Sequence, residues 1–141
     1  MVDLELVILK SGLVQKHINR IGEKTDTDLQ SFLKDIDSQE IVSFNLHLAI
    51  ENCIDIGSHI VSEEAFGIPG SSGEMFHLLF ENGFLSLELS DKMSRAAGLR
   101  NLIVHEYDKL DAKRLFEIAR KDIHDLENYL KSIFKKLGIS A

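Results

Sequence analysis

Leu99-Arg100-Asn101-Leu102-Ile103-Val104-His105-Glu106-Tyr107 sets three apolar residues between an arginine and a histidine, with a tyrosine two positions further on. Leu102, Ile103 and Val104 read as the inner face of a buried helix. Arg100, His105 and Tyr107 are side chains that rarely enter such a setting without a partner. At about 100° per residue, Arg100 and Tyr107 fall within about 20° of one helical face, two turns apart. His105 stands about 160° from Tyr107, so an unbroken helix cannot bring all three together. Two arrangements remain open: the helix ends near His105 and the chain curls back, or a second copy of the chain completes the cluster. Either makes the stretch a site rather than a core stripe.

Working outward, the same helical period recurs along the chain. Leu4, Leu6, Val7, Leu9, Leu13, Val14, Ile18 and Ile21 predict a first helix, with Gly22 as its stop. Gly12 inside it either weakens the helix or admits a close neighbour. Thr25 to Asp28 supply caps for a short helix facing inward through Leu29, Phe32, Leu33 and Ile36. Asp37 and Glu40 have capping-box spacing and open a third helix to about Val61. Its core stripe is Val42, Leu46, Ala49, Ile50, Cys53, Gly57, Ile60 and Val61. Opposite, His47, Glu51, Asp55 and His59 repeat every fourth residue beside Phe44 and Leu48. That spacing can hold a metal on a bundle, but the Glu-x-x-His pairs of di-metal bundles do not recur on the other helices, so a partly covered polar face is expected.

Residues 67–73 form the clear break and contain no Gly-Lys-Ser/Thr of a phosphate-cradling loop. A short helix through Met75, Phe76, Leu78, Leu79 and Phe80 follows, ended by Gly83. Ser86 or Ser90 caps the motif helix, in which Ala96, Ala97 and Gly98 allow close approach. Asp111 caps a final helix of about 25 residues with Leu115, Ile118, Ile123, Leu126, Leu130, Ile133 and Leu137 inward and Gly138 after its end. The expected fold is all-α: a single-domain (1–141) antiparallel up-down bundle with short additional helices. His17 and His124 are expected to be exposed, and His77 to lack companions, so none joins the site.

Composition narrows the function. A chain of 141 residues with 44% hydrophobic residues, one proline and one cysteine suits one helical core. Cys53 excludes an intramolecular disulfide and a cysteine metal cluster, and reads as a small core residue. No apolar run approaches a membrane span and the N-terminus lacks a basic leader, so a cytoplasmic location is expected. The formal charge of −7 argues against a broad basic nucleic-acid surface. Charge is local, however: residues 92–114 carry +3 while the remainder carries −10. A phosphate contact would therefore lie at the motif, and most flanking lysines read as solvated.

Arg100-x4-His105-x-Tyr107, with Asn101 directly after the arginine, resembles the signature of the HEPN superfamily in its HepT-like toxins. These are small all-helical proteins paired with a minimal, MntA-like nucleotidyltransferase antitoxin, and the likeness spans essentially the whole chain. It implies a homodimer whose paired motifs line a cleft and cut RNA without a metal or cofactor. A metal-free ribonuclease needs groups to take and return protons, and positive charge at the phosphorane. Histidine suits the first tasks, its ordinary pKa lying near working pH, and arginine the second. Arg100 and His105 are thus the expected catalytic residues, with Asn101 and Tyr107 as site support. The resemblance also implies that the antitoxin adenylylates Tyr107. The alternative is a non-catalytic HEPN nucleotide- or substrate-binding subunit of a nucleotidyltransferase. A structural reading also stands beside both, with Arg100 in an ion pair and His105 and Tyr107 capping the helix.

Overall fold

A computed structural model describes residues 1–106, 108 and 110–140. Among the described residues there are six α-helices and no strand: α1 (Leu4–Thr25), α2 (Leu29–Leu33), α3 (Ile36–Glu63), α4 (Ser72–Glu81), α5 (Leu87–His105) and α6 (Ala112–Leu137). Each begins at a short side-chain acceptor. Asp3, Asp28, Asp35, Ser71, Ser86 and Asp111 all take the backbone N–H three residues on, satisfying one of the donors a helix start leaves unpaired.

Two expected boundaries shift, each for a local reason. Asp35, not Asp37, caps α3, because its carboxylate takes both the backbone N–H of Ser38 at 3.1 Å and its hydroxyl at 2.7 Å. Gly22 does not end α1. Ile21 and Thr25 are both buried and the Thr25 hydroxyl donates to the Ile21 carbonyl at 2.9 Å, so packing carries the helix past the glycine. Ser86, rather than the buried Ser90, starts α5. Gly138 closes α6 in the left-handed conformation at φ +71°, and the Ile139 N–H reaches the Phe134 carbonyl at 2.9 Å.

The four long helices alternate in direction. Lys10 meets Asp55 at 3.1 Å and His17 meets Asn45 at 2.9 Å, which makes α1 and α3 antiparallel. Lys92 and Asp125 approach to 3.8 Å at one end of α5 and α6, while His105 and Arg114 share a groove at the other. Phe32 of α2 packs on Phe116 of α6 with ring centroids 4.9 Å apart. This is the up-down bundle with short extra helices.

The core passes through Val14, Ile21, Leu46, Ile50, Cys53, Met75, Met93 and Leu126, all fully buried. Burial pushes the Cys53 thiol up, so it stays protonated as a small apolar residue. Tyr129 joins this core although the expected inward stripe of α6 omits it. Its hydroxyl donates to the Cys53 carbonyl at 2.9 Å and its ring stands edge-on to Phe76 at 5.6 Å. Gly57, one turn beyond Cys53, makes the space. A Cβ there would lie 2.5 Å from Met75 Sδ and 2.8 Å from Tyr129 Oη, both on fully buried side chains. At Gly12 the same Cβ would meet open space, so that glycine serves no close approach.

One carboxyl is packed against its preference. Asp122 on α6 is half-buried, and desolvation, followed by repulsion from Asp125, raises its pKa to about 6. Lys121 and Arg95 offset only part of this, and Lys92 is held by Glu88 and Asp125.

Two stability measurements follow from this packing. Gly57→Ala gains up to about 1 kcal/mol of helix propensity, but overpacking costs about 1–3 kcal/mol. Its urea midpoint is therefore expected to fall, and a rise would show that Met75 and Tyr129 can yield. For Asp122 the folded pKa lies above the ordinary 3.8, so the group opposes folding above about pH 6 and ceases to do so as pH falls toward 4. Asp122→Asn is expected to raise Tm at pH 7.5 and to lose most of that advantage by pH 4.5. An unchanged difference across the range would refute the assignment.

Candidate active site

Arg100 lies near the middle of the C-terminal half of α5, on the side that meets α3. Its Nη1 donates to Glu51 Oε2 at 2.6 Å, and His47 Nε2 stands 3.8 Å from that same oxygen. Nε of Arg100 is buried and finds no hydrogen-bond partner among the described residues. The side chain is anchored by Glu51 and as a whole keeps 20% of its surface exposed. Phe44, His47, Leu48 and Glu51 share one face of α3 through their spacing of three and four, and Phe44 at its edge is 61% exposed.

His105 leaves α5 in another direction. Five residues turn a helix through about 140° from the starting face, and α5 stays regular until Glu106 caps it by donating its N–H to the Leu102 carbonyl at 2.8 Å. The helix therefore ends too late to turn His105 back onto Arg100. His105 is exposed and, with Asn101 one turn earlier, lines a groove of about 830 Å³ between α5 and α6. Exposed Val104 lies about 40° round the helix from Arg100, between the two directions. Tyr107, expected on the Arg100 face, lies outside the described residues.

The four-residue row on α3 is divided among neighbours. Glu51 holds Arg100, Asp55 holds Lys10, and His59 Nε2 accepts the backbone N–H of Asp3 at 2.9 Å. Among the described residues no group of three or more His, Cys, Asp or Glu side chains is arranged to hold a metal. Two other histidines depart from expectation. His17 is partly buried against Asn45, and His77 pairs with Glu81 one turn on at 2.9 Å.

Glu51 as the partner of Arg100, and the wall of the α5–α6 groove, are the parts that sequence reasoning missed. Lys92, Arg95, Ala96, Leu99 and Leu102 recur at helical intervals on α5, and Arg114, Ile118, Lys121, Asp122 and Asp125 recur on α6. These two stripes could have been matched from spacing alone. Lys92 in particular is not simply solvated, since it pairs with Glu88 at 3.1 Å. Among the described residues no helix is long and apolar enough to cross a membrane.

Comparisons with known proteins agree with this arrangement of helices. Residues 14–133 match the family described as "Ribonuclease HepT-like". The mRNA nuclease HepT of Shewanella oneidensis is 33% identical over 92% of this chain and 96% of its own length. The tRNA nuclease HepT of Aphanizomenon flos-aquae is 27% identical over 94% of this chain and 92% of its own. A solved structure of a tri-AMPylated Shewanella oneidensis HEPN toxin in complex with an MNT antitoxin superposes with a TM-score of 0.84. It is 33% identical and covers 91% of this chain and 96% of that one. By fold, by near-complete coverage and by the motif on α5, the chain belongs to the HepT-like ribonuclease family.

Proposed function

We propose that this chain is the RNA-cleaving toxin of a toxin–antitoxin pair, a cytoplasmic endoribonuclease that acts as a homodimer without a metal. A minimal nucleotidyltransferase antitoxin silences it. The observation that carries this reading is the way α5 displays its motif. Arg100 and His105 both reach solvent, neither is consumed by the core, and they point in directions that one chain cannot reconcile. Val104 on α5 and Phe44 on α3 are exposed apolar side chains that a second copy would cover. Two-fold pairing over them would set Arg100 near the partner's His105. The relatives described as nucleases favour this reading over the binding-subunit alternative.

In the proposed reaction one histidine takes the proton of the RNA 2′-hydroxyl, and the 2′-oxygen attacks phosphorus. The bond to the 5′-oxygen breaks, and that oxygen receives a proton from the second histidine of the dimer. The products are a 2′,3′-cyclic phosphate and a 5′-hydroxyl. Arg100, anchored through Nη1 by Glu51, grips the non-bridging oxygens. Asn101 shares the His105 side of α5 and is placed to add a hydrogen bond to the substrate. Tyr107 is the adenylylation site. An attached adenylyl group adds a phosphodiester charge and bulk, pairs with Arg100 and blocks RNA.

Arg100→Ala and His105→Ala are expected to fold and to lose cleavage by at least a hundredfold, whereas wild-type cleavage persists in EDTA. A folded His105→Ala protein of full activity would defeat the mechanism, and a sedimenting monomer with undiminished cleavage would defeat the shared site. For Tyr107, intact mass is read after incubation with the antitoxin and ATP. Wild type is expected to gain adenylyl mass and Tyr107→Phe to gain none. Tyr129 serves as the internal control, because its hydroxyl is sealed in the core. Equal gain in both proteins would move the modification elsewhere.

A further inference from the structure

The α5–α6 groove extends well past His105. Because the helices are antiparallel, Arg95 and the facing Asp122 lie ten residues of α5, about 15 Å, from the histidine. Between these points the lining is apolar at Leu99, Leu102 and Ile118, and a Cβ at Gly98 would meet nothing within 4 Å, so the wall there is low. Asp122 lines the far part of the groove. Among the described residues no hydrogen bond or ion pair within 4 Å engages its carboxylate, although Arg95 and Lys121 attract it at longer range. A half-buried carboxylate that lines a groove and makes no hydrogen bond or close ion pair among the described residues is placed for something outside the chain.

The chemistry of this part of the groove is specific. It offers an apolar surface, the Asp122 carboxylate as acceptor, and two cations, Arg95 and Lys121, for which the described residues provide no ion pair within 4 Å. An unpaired nucleotide presents the complement: flat base faces, N–H donors on the base edge and a phosphate. We propose that this end of the groove is a nucleobase subsite, where a base of the bound RNA strand lies against Leu99 and Ile118 and donates its edge to Asp122. Arg95 and Lys121 hold the adjoining phosphate. A carboxylate only accepts, and its two oxygens match two neighbouring donors. On the Watson–Crick edge guanine alone offers that pair, N1–H beside the N2 amino group. Adenine and cytosine set an acceptor beside their amino group, and uracil flanks its single N–H with carbonyls. The subsite therefore selects guanine a short distance from the cleaved bond rather than at it. Single-stranded RNA is read in this way elsewhere, by base-face contact together with hydrogen bonds to the exposed edge.

This inference rests on the ribonuclease reading, and one experiment separates the two. A randomised single-stranded RNA pool is cut by the purified protein and the new ends are sequenced, giving base enrichment at every position around the cut. Wild type is expected to show guanine enriched about tenfold or more at one position displaced from the cut. Asp122→Asn, expected to be the more stable protein, replaces two acceptors by one acceptor and one donor. Among its cuts the guanine enrichment should vanish and shift toward adenine or cytosine. Arg95→Ala should raise KM with the guanine preference retained. A wild-type profile without displaced guanine overturns the subsite, as does an identical profile in Asp122→Asn. Loss of antitoxin binding in Asp122→Asn with an unaltered profile overturns it too, by assigning the carboxylate to a protein partner. Failure of wild type to cut the pool, or cutting by His105→Ala, overturns the ribonuclease reading itself.

Discussion

Five residues along an α-helix turn through about 140°, and this separation of Arg100 from His105 governs how the rest of the molecule must be arranged. A single helix holds both side chains rigidly, since α5 is regular from Leu87 to His105 and is packed on α3, α4 and α6. Arg100 is thereby committed to α3 and His105 to the groove with α6. Rigidity of this kind suits a site that must place two groups within fractions of an ångström, but it prevents their meeting within one chain. Val104 and Phe44 stay exposed on the same two helices, α5 and α3.

The Arg100–Glu51 contact gives α3 a second role. On its inner face α3 is a core helix, and Gly57 lets it sit close to Tyr129 and Met75. On its outer face the same helix anchors the motif arginine through Glu51 and ties down α1 through Asp55 and His59. A carboxylate bound to one guanidinium nitrogen fixes the direction of the fork while leaving other donors for phosphate. The histidine-carboxylate row with the spacing of a metal site thus works as a set of separate fasteners.

Asp122 shows where stability and function pull apart. Placing a carboxyl between α5 and α6, with Asp125 beside it, raises its pKa and weakens the fold at neutral pH. The surrounding groove explains such a choice better than the fold does, because an apolar stripe there would have packed more favourably.

Much of this protein was legible in the order of its residues. Helical period, the polar caps before α2, α5 and α6 and the turn-rich stretch at 67–73 determined most of the elements, because caps and periodicity act within one or two turns of the chain. The Arg-x4-His-x-Tyr spacing marked a candidate site, and helical geometry alone showed that Arg100 and His105 diverge. What only the tertiary structure decided were the pairings between helices. Nothing local to Arg100 names Glu51, forty-nine positions away, as its anchor, and nothing local to Tyr129 tells that its hydroxyl ends on the Cys53 carbonyl above Gly57. Asp122 likewise looks like a solvated surface acid until the fold sets it in the α5–α6 groove with Arg95. Such contacts depend on how amphipathic helices rotate and slide to fill one core, and that choice is made by the whole set of side chains at once.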